Sequence, residues 1–322
     1  MFINAGYFRA HMYISVPEQI RRDFARMKEA GTDAVTISVL EQDLFAAVEN
    51  MVLIHRTAKE MGMKLYADMA RWGGLVSGTP KVPSIWGSVH PEYWMRDSKG
   101  ELIQLYGPTS SIYYEETFEF FRRTIEKMLS IVPFDGIFWN EPKALQALDY
   151  CDGAKGYFAG RQLDIGDVRN HIAARVRFTE RLNEVMLGIS PSLDICCFLQ
   201  CTEIHQGIPE AFAAMKHLHT FGCDGRAWRK ADEDGGLTYA GKSLLDQQAF
   251  FIALARKNKK KSFAFVENID IPDPYLDRLD RRLPEVLAMD IDHLMYYYYG
   301  RSVESPDRCM EIVFRHLGLA RK

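Results

Sequence analysis

No stretch of this sequence approaches the roughly 18 apolar residues that a membrane-spanning helix needs. The start, MFINAGYFRAH, lacks the basic opening and long apolar run of a secretory leader. A cytoplasmic protein is therefore expected. Basic residues are not in excess: 40 Lys and Arg stand against 43 Asp and Glu, a net charge of −3. The basic face that a nucleic-acid partner requires is missing. The one basic cluster, Arg256, Lys257 and Lys259 to Lys261, falls at the end of an expected helix, where cations suit the carboxyl end of the dipole. The six cysteines form no CxxC pair, and Cys196 and Cys197 adjoin within an apolar run. That suits reduced, buried thiols better than a zinc site through Cys197 and Cys201. HExxH is absent, as is any clustered Asp/His set with metal spacing, so no metal and no cofactor are expected. Nor is there a solenoid repeat, or a linker that would split the chain.

What is present is an alternation of short apolar runs and longer amphipathic ones. Strands are expected at about Phe2 to Phe8, Ala34 to Val39, Lys64 to Met69, Phe134 to Asn140, Leu193 to Leu199, His217 to Phe221, Ser262 to Val266 and His293 to Tyr299. Helices are expected from Pro17 to a stop at Gly31, from Asp43 to Met61, from Glu115 to Ile131, from a cap at Asp167 to Leu187, a short one from Pro209, from Ser243 to Lys257, from Tyr275 to Met289, and from Pro306 to Leu317. Two connections are long. The first runs from Ala70 to about Ser111, is rich in Gly, Pro, Trp and Ser, and shows no regular pattern; the second carries CDGAKGYFAG. Loops of that length inside a compact domain are usually functional. An open doubly wound sheet would announce itself by a glycine-rich turn after its first strand. Arg9, Ala10, His11 and Met12 stand there instead. The α/β class is therefore a (β/α)8 TIM barrel, one domain over residues 1–322 with long loops after strands three and four.

Active sites of such barrels lie at the carboxyl ends of the strands. That rule selects Arg9 and His11 (strand one), Asp68, Arg71 and Trp72 (three), Trp139, Asn140 and Glu141 (four), Gln200, Glu203 and His205 (five), Asp224 (six), Glu267 and Asn268 (seven), and Tyr297, Tyr298, Tyr299 and Arg301 (eight). Glu141 and Glu267 each follow an apolar strand directly, and their strands lie on roughly opposite sides of an eight-membered ring. Two carboxyl groups facing each other across a sugar are what glycoside hydrolysis needs. Asp68 with Arg71 forms a candidate pair. Arg9 is placed to orient a carboxylate. Tyr297 and Tyr299 alternate with Tyr296 and Tyr298, so only one pair points inward. Trp72, Trp86, Trp94 and Trp139 are candidate sugar-stacking platforms, with Trp139 or Trp72 foremost, and Gln200, Glu203 and His205 complete the expected substrate contacts.

The run Phe134-Asp135-Gly136-Ile137-Phe138-Trp139-Asn140-Glu141-Pro142 resembles strand four of the large clan of retaining glycosidases built on (β/α)8 barrels. Phe265-Val266-Glu267-Asn268 stands where that clan carries its strand-seven nucleophile. The resemblance implies Glu141 as acid/base, Glu267 as nucleophile and Asn140 as the contact to the sugar 2-hydroxyl. His90-Pro91-Glu92-Tyr93-Trp94, followed by Asp97-Ser98-Lys99-Gly100, is similar to a stretch found after strand three in several glycosidase-like barrels. Some of those relatives end strand four on Asp where this chain has Asn140, so no single family is named.

The expected function is a retaining glycosidase acting on small oligosaccharides or glycosides, with a carbohydrate partner and room for homo-oligomers. Trp139 is expected to help raise the proton affinity of Glu141. Two other readings stand beside it. A metal-dependent sugar isomerase, epimerase or aldolase would gather Asp68, Glu141, Glu203, His205 and Glu267 around a divalent ion. A non-catalytic carbohydrate-binding barrel would bind without turnover.

Overall fold

A computed structural model describes residues 1–7, 15–78, 82–105, 107–229 and 243–320. Arg9 and His11 lie outside the described residues. Eight strands, β1 (Phe2–Tyr7), β2 (Ala34–Val39), β3 (Lys64–Met69), β4 (Gly136–Asn140), β5 (Asp194–Gln200), β6 (Thr220–Gly225), β7 (Lys261–Val266) and β8 (His293–Tyr298), pair in parallel and in chain order, and β8 closes back onto β1. This is the (β/α)8 barrel. Its strands are buried on both faces, which is why they read as unbroken apolar runs such as AVTISV of β2.

The helices between them are α1 (Pro17–Glu29), α2 (Asp43–Ala46), α3 (Val48–Glu60), α4 (Ile85–Val89), α5 (Glu115–Ile131), α6 (Asp152–Ala159), α7 (Val168–Ile189), α8 (Ile208–Ala213), α9 (Leu244–Lys257), α10 (Leu276–Leu287) and α11 (Pro306–Ala320). Each long helix buries one stripe. In α1 that stripe is Ile20, Phe24 and Met27, spaced three and four apart, and Gly31 at φ 88° ends the segment. Among the described residues no helix is long and apolar enough to cross a membrane.

The main core fills the layer between barrel and helices. A second core fills the barrel itself: Tyr66, Phe138, Cys196, Phe198, Phe263, Phe265 and Met295. All six cysteines are free and buried.

Three expectations need correction. The helix expected from Asp43 to Met61 is two helices broken at Ala47 (φ −132°). Asp43 turns its carboxylate back to accept from Leu40 N–H at 2.8 Å, which ties the start of α2 to the residue after β2. The connection from Ala70 to Ser111 is not patternless. It holds α4, two 3₁₀ turns at Trp72–Gly74 and Pro91–Tyr93, and antiparallel bridges Trp94↔Ser110, Arg96↔Leu102 and Gln104↔Pro108. Buried Glu41, just past β2, anchors it by accepting from Gly73 N–H (3.1 Å), Ser84 Oγ–H (2.6 Å) and Trp86 N–H (2.7 Å).

The sixth strand starts three residues later than expected and runs through Gly222-Cys223-Asp224-Gly225. A Cβ on Gly222 would lie 1.9 Å from the Phe263 carbonyl oxygen. Glycine there answers the close approach of β7 and is not a turn signal.

Candidate active site

Strand alternation decides which side chains reach the barrel mouth. On β3 and β4, Asp68 and Asn140 share the inward side: Asn140 Nδ2 donates to Asp68 Oδ2 at 2.9 Å, and Ser38 Oγ from β2 donates to the same oxygen at 2.8 Å. Trp139, between Phe138 and Asn140, must then point outward. It is 2% exposed, and its indole N–H donates to Asn183 of α7. Trp72 is wholly buried, donates to the Val39 carbonyl, and packs near Phe121. The expectation that Trp139 or Trp72 lines the sugar pocket is therefore corrected, and Trp139 is not the apolar neighbour of the Glu141 carboxyl. Trp86 stacks with Phe120 and Tyr93 and lines a cavity that contains neither Glu141 nor Glu267. Trp94 spends its indole N–H on the Gly87 carbonyl.

By the same alternation Glu141 would follow Asn140 and face outward. A positive φ of 36° turns it back. Such a backbone is rare for a residue with a side chain and marks a constrained position. Glu141 N–H stays on the ladder, donating to the Phe198 carbonyl at 3.0 Å, while its carboxylate swings over the mouth. Gln200 Nε2, at the end of β5, donates to Glu141 Oε2 at 2.7 Å, and the Lys143 ammonium lies against the same oxygen. Glu267 needs no such torsion, because inward Phe265 places it inward two residues later. Its N–H donates to the Gly225 carbonyl at 2.8 Å, and Arg226 Nε lies 3.9 Å from its Oε2. Behind it Asp270 holds Arg226 at 3.0 Å and Arg301 at 3.4 Å.

Glu141, Asp224 and Glu267 converge. All three are buried, and one carboxylate oxygen from each lies within 4.8 Å of the others. Tyr297 of β8 faces this group. Burial pushes its phenol well above the usual range, Glu267 and Asp224 push it further, Arg301 partly offsets them, and Glu141 adds to the rise. The hydroxyl therefore remains a proton donor. Burial pulls the Lys143 ammonium down, but Glu141, Glu203 and Asp224 more than reverse that, and it stays charged. Asn268 ties β7 to β8 by accepting from Tyr297 N–H (2.7 Å) and donating to the Tyr297 carbonyl (2.9 Å).

The other expected residues fall as follows. Arg71 is buried at φ 65°, beyond β3. Glu203 accepts from Gln200 N–H at 3.0 Å, near the cluster. His205 is exposed on the loop after β5. Tyr299 leaves the strand at φ 52°, and its hydroxyl meets Arg26 of α1 and Asp307 of α11. It joins the helical shell while Tyr297 stays in the barrel.

Asp224 and Lys143 were the residues that sequence reasoning underweighted. The expected end of the sixth strand at Phe221 put Asp224 in the following loop, whereas it stands at an inward position within β6, in register with Phe265. For Lys143 the signal was its place two residues after Glu141.

The three carboxylates are also a set that can hold a divalent cation, although Lys143 and Arg226 already supply positive charge there. A second group, Asp194, Cys196 and His293, meets the same spacing at the amino end of the barrel. A cavity of about 660 Å³ lined by Glu41, Leu44, Phe45, Ile85, Trp86 and Phe120, among others, contains none of the three converging carboxylates.

Fold and site together define a (β/α)8 barrel with a buried acidic centre at the carboxyl ends of its strands. Sequence comparison adds nothing to that: no known family pattern and no curated protein matches the chain. Solved structures do match it in fold. One is alpha-L-fucosidase isoenzyme 2 from Paenibacillus thiaminolyticus, with TM-score 0.65, 13% identity, and 99% of this chain against 48% of that one. Another is the beta-galactosidase of the psychrophilic Marinomonas ef1, with TM-score 0.64, 12% identity, and 100% against 59%. A third is the catalytic domain of beta-amylase from Paenibacillus polymyxa, with TM-score 0.61, 9% identity, and 100% against 98%. The chain thus spans about half the length of the fucosidase and three fifths of the galactosidase. At these identities the likeness is one of fold.

Proposed function

We propose that the chain is a retaining glycoside hydrolase acting on small oligosaccharides or glycosides, with Glu267 as nucleophile and Glu141 as acid and base. The observation that carries this reading is the approach of the Glu141 and Glu267 carboxylate oxygens to within 4.8 Å of each other, from non-adjacent strands. Retention works with carboxyl groups about 5 to 5.5 Å apart, whereas inversion needs roughly 6.5 to 9.5 Å to admit a water. The likeness of the fold to solved structures named as a fucosidase, a galactosidase and an amylase agrees with it.

In the first half-reaction a Glu267 oxygen attacks the anomeric carbon. The bond from that carbon to the leaving oxygen breaks, and the proton on Glu141 passes to that oxygen. In the second half, water attacks the same carbon, its proton goes to Glu141, and the bond to Glu267 breaks. Asn140, held by Asp68, is offered to the sugar 2-hydroxyl. Tyr297, kept protonated by burial and by its acidic neighbours, donates toward the acidic centre.

The test uses activated aryl glycosides. Glu141→Gln is expected to lower turnover by about 10²- to 10⁴-fold. Glu267→Gly should be inactive alone and recover cleavage with azide or formate, and failure of that rescue sinks Glu267 as nucleophile. Sugar affinity without turnover would instead make the chain a binding barrel. The third carboxylate, Asp224, favours one competing reading, a divalent-metal enzyme acting on sugars; loss of activity with chelator, restored by metal, would select it.

A further inference from the structure

We infer that Lys143 is a positioning residue that governs the proton on Glu141, a role that rests on the reading of Glu141 as acid and base. The ammonium lies against Glu141 Oε2, and both side chains are only 9% exposed. Gln200 donates to the same oxygen at 2.7 Å. Oε2 is therefore the oxygen held in the charged form, and a proton bound by Glu141 rides on Oε1.

The contact is built into the fold. Lys143 N–H donates to the Leu75 carbonyl at 2.8 Å. Buried Arg175 of α7 bridges the carbonyls of Leu75 (3.0 Å) and Lys143 (2.5 Å). A guanidinium from the helical layer thus fixes the backbone two residues after Glu141, in a loop that would otherwise be free to vary.

The groups facing Glu141 explain why an ammonium matters there. Asp224 from β6 and Glu267 from β7 approach it within 4.8 Å, with Arg226 beside Glu267. Glu203 from the end of β5 and Tyr297 from β8 complete the surround. Three carboxylates at such spacing resist ionising together, because like charges raise one another's proton affinity. Lys143 opposes that rise directly at Glu141.

The charges of Glu203 and Asp224 also act on Lys143, so the ammonium stays charged when Glu141 takes a proton. When Glu141 gives its proton to the leaving oxygen, the new carboxylate charge forms against the waiting ammonium. Lys143 thereby strengthens Glu141 as an acid in the step and holds it as a ready base afterwards.

The experiment uses the full chain labelled with ¹³C at the glutamate carboxyls, the Glu141 signal being assigned by its loss in Glu141→Gln. In Lys143→Met the Glu141 titration midpoint is expected to rise by about 1 to 2 pH units, the scale of losing an opposite charge at contact. Lys143→Arg should restore it to within about half a unit, because the charge is kept. On an aryl glycoside the basic limb of kcat/KM should move up by the same amount. An unmoved midpoint in a folded Lys143→Met overturns the proposal.

A measurement on the unsubstituted chain keeps the test alive if that variant does not fold. The ¹⁵N signal of the Lys143 ammonium should step at the Glu141 midpoint, and a signal that passes through it unchanged overturns the proposal as well. A shifted midpoint with no glycoside turned over leaves the coupling standing and removes the glycosidase reading. Turnover with an unmoved midpoint does the reverse.

Discussion

Glu141 owes its aim to one torsion. Left in extended backbone it would follow Trp139 into the helical layer, and its φ of 36° returns it to the mouth. Holding a side-chain-bearing residue there costs on the order of 1–3 kcal/mol, which the surrounding structure must supply. The Glu141 N–H bond to Phe198 and the donors Gln200 and Lys143 supply fixed points. At the other end of the barrel a single ring makes a different demand. His293 is ringed by Phe2, Tyr66, Phe138 and Phe263. Burial, helped by Lys261 and Lys64, brings its pKa down from 6.5 to about 3. The unfolded chain therefore binds a proton between those values that the folded chain refuses. The stability contributed by the neutral ring is intact above about pH 6.5. It falls by up to about 1.4 kcal/mol per pH unit as the pH drops, and the loss levels off below about pH 3. Melting temperature should decline between pH 6.5 and 4, and decline less steeply in His293→Gln. Equal slopes for the two proteins would show that His293 is not the group responsible.

Among the elements, β6 shows where the sequence is hard to read and why. HLHTF has the look of a strand and GCDG the look of a turn, yet the strand is Thr220–Gly225. His219 instead turns its ring to Ile195 N–H at the start of β5. The missing Cβ at Gly222 lets β7 approach, and the missing Cβ at Gly136 makes room for Tyr66, whose ring a Cβ would meet at 2.1 Å. These are packing demands from across the barrel, and no local pattern carries them. Gly222→Ala meets a backbone carbonyl that cannot rotate away, so the β6–β7 ladder itself must shift. The expected loss is about 3 kcal/mol or more, at the upper end of overpacking effects, read as a lower urea midpoint. A change below about 1 kcal/mol would mean that the ladder is softer than its geometry. Glu267 was legible because an apolar strand carries it inward by simple alternation. Glu141 was legible from its place directly after an apolar strand and from its resemblance to a known motif, but its direction depends on a torsion that no local pattern carries. Tyr299 was misplaced for the converse reason: φ 52° takes it off the alternation that Tyr297 obeys.

At the scale of the molecule, what the sequence announced most strongly was the count of strands, because eight two-face-buried runs separated by helices leave few architectures. Closure was expected from that count and from the missing glycine-rich turn after the first strand, and the structure shows it as a contact between the first and last strands. β1 and β8 share six register positions, from Phe2↔His293 to Tyr7↔Tyr298. That seam completes the acidic centre as well as the wall. It sets the Tyr297 ring against Gly6, where an added Cβ would come within 3.2 Å of it, and it holds Tyr297 toward Glu267 and Asp224. A closed barrel has no edge strand, and removing one strand creates two edges at once. A chain ended after Ile291, and so lacking β8 and α11, would bare the edges of β1 and β7 together with the rings of Tyr7 and Phe263, which now pack against Tyr298 and His293. Such a chain should aggregate. Adding the missing segment as a separate peptide should recover soluble, helical protein, because the seam is held by pairing and packing and not by a covalent link across it. Recovery is read by sedimentation and far-ultraviolet circular dichroism. A truncated chain that stayed monomeric and cooperative without the peptide would show that seven strands suffice, and the dependence of Tyr297 and its acidic neighbours on closure would fall with that result.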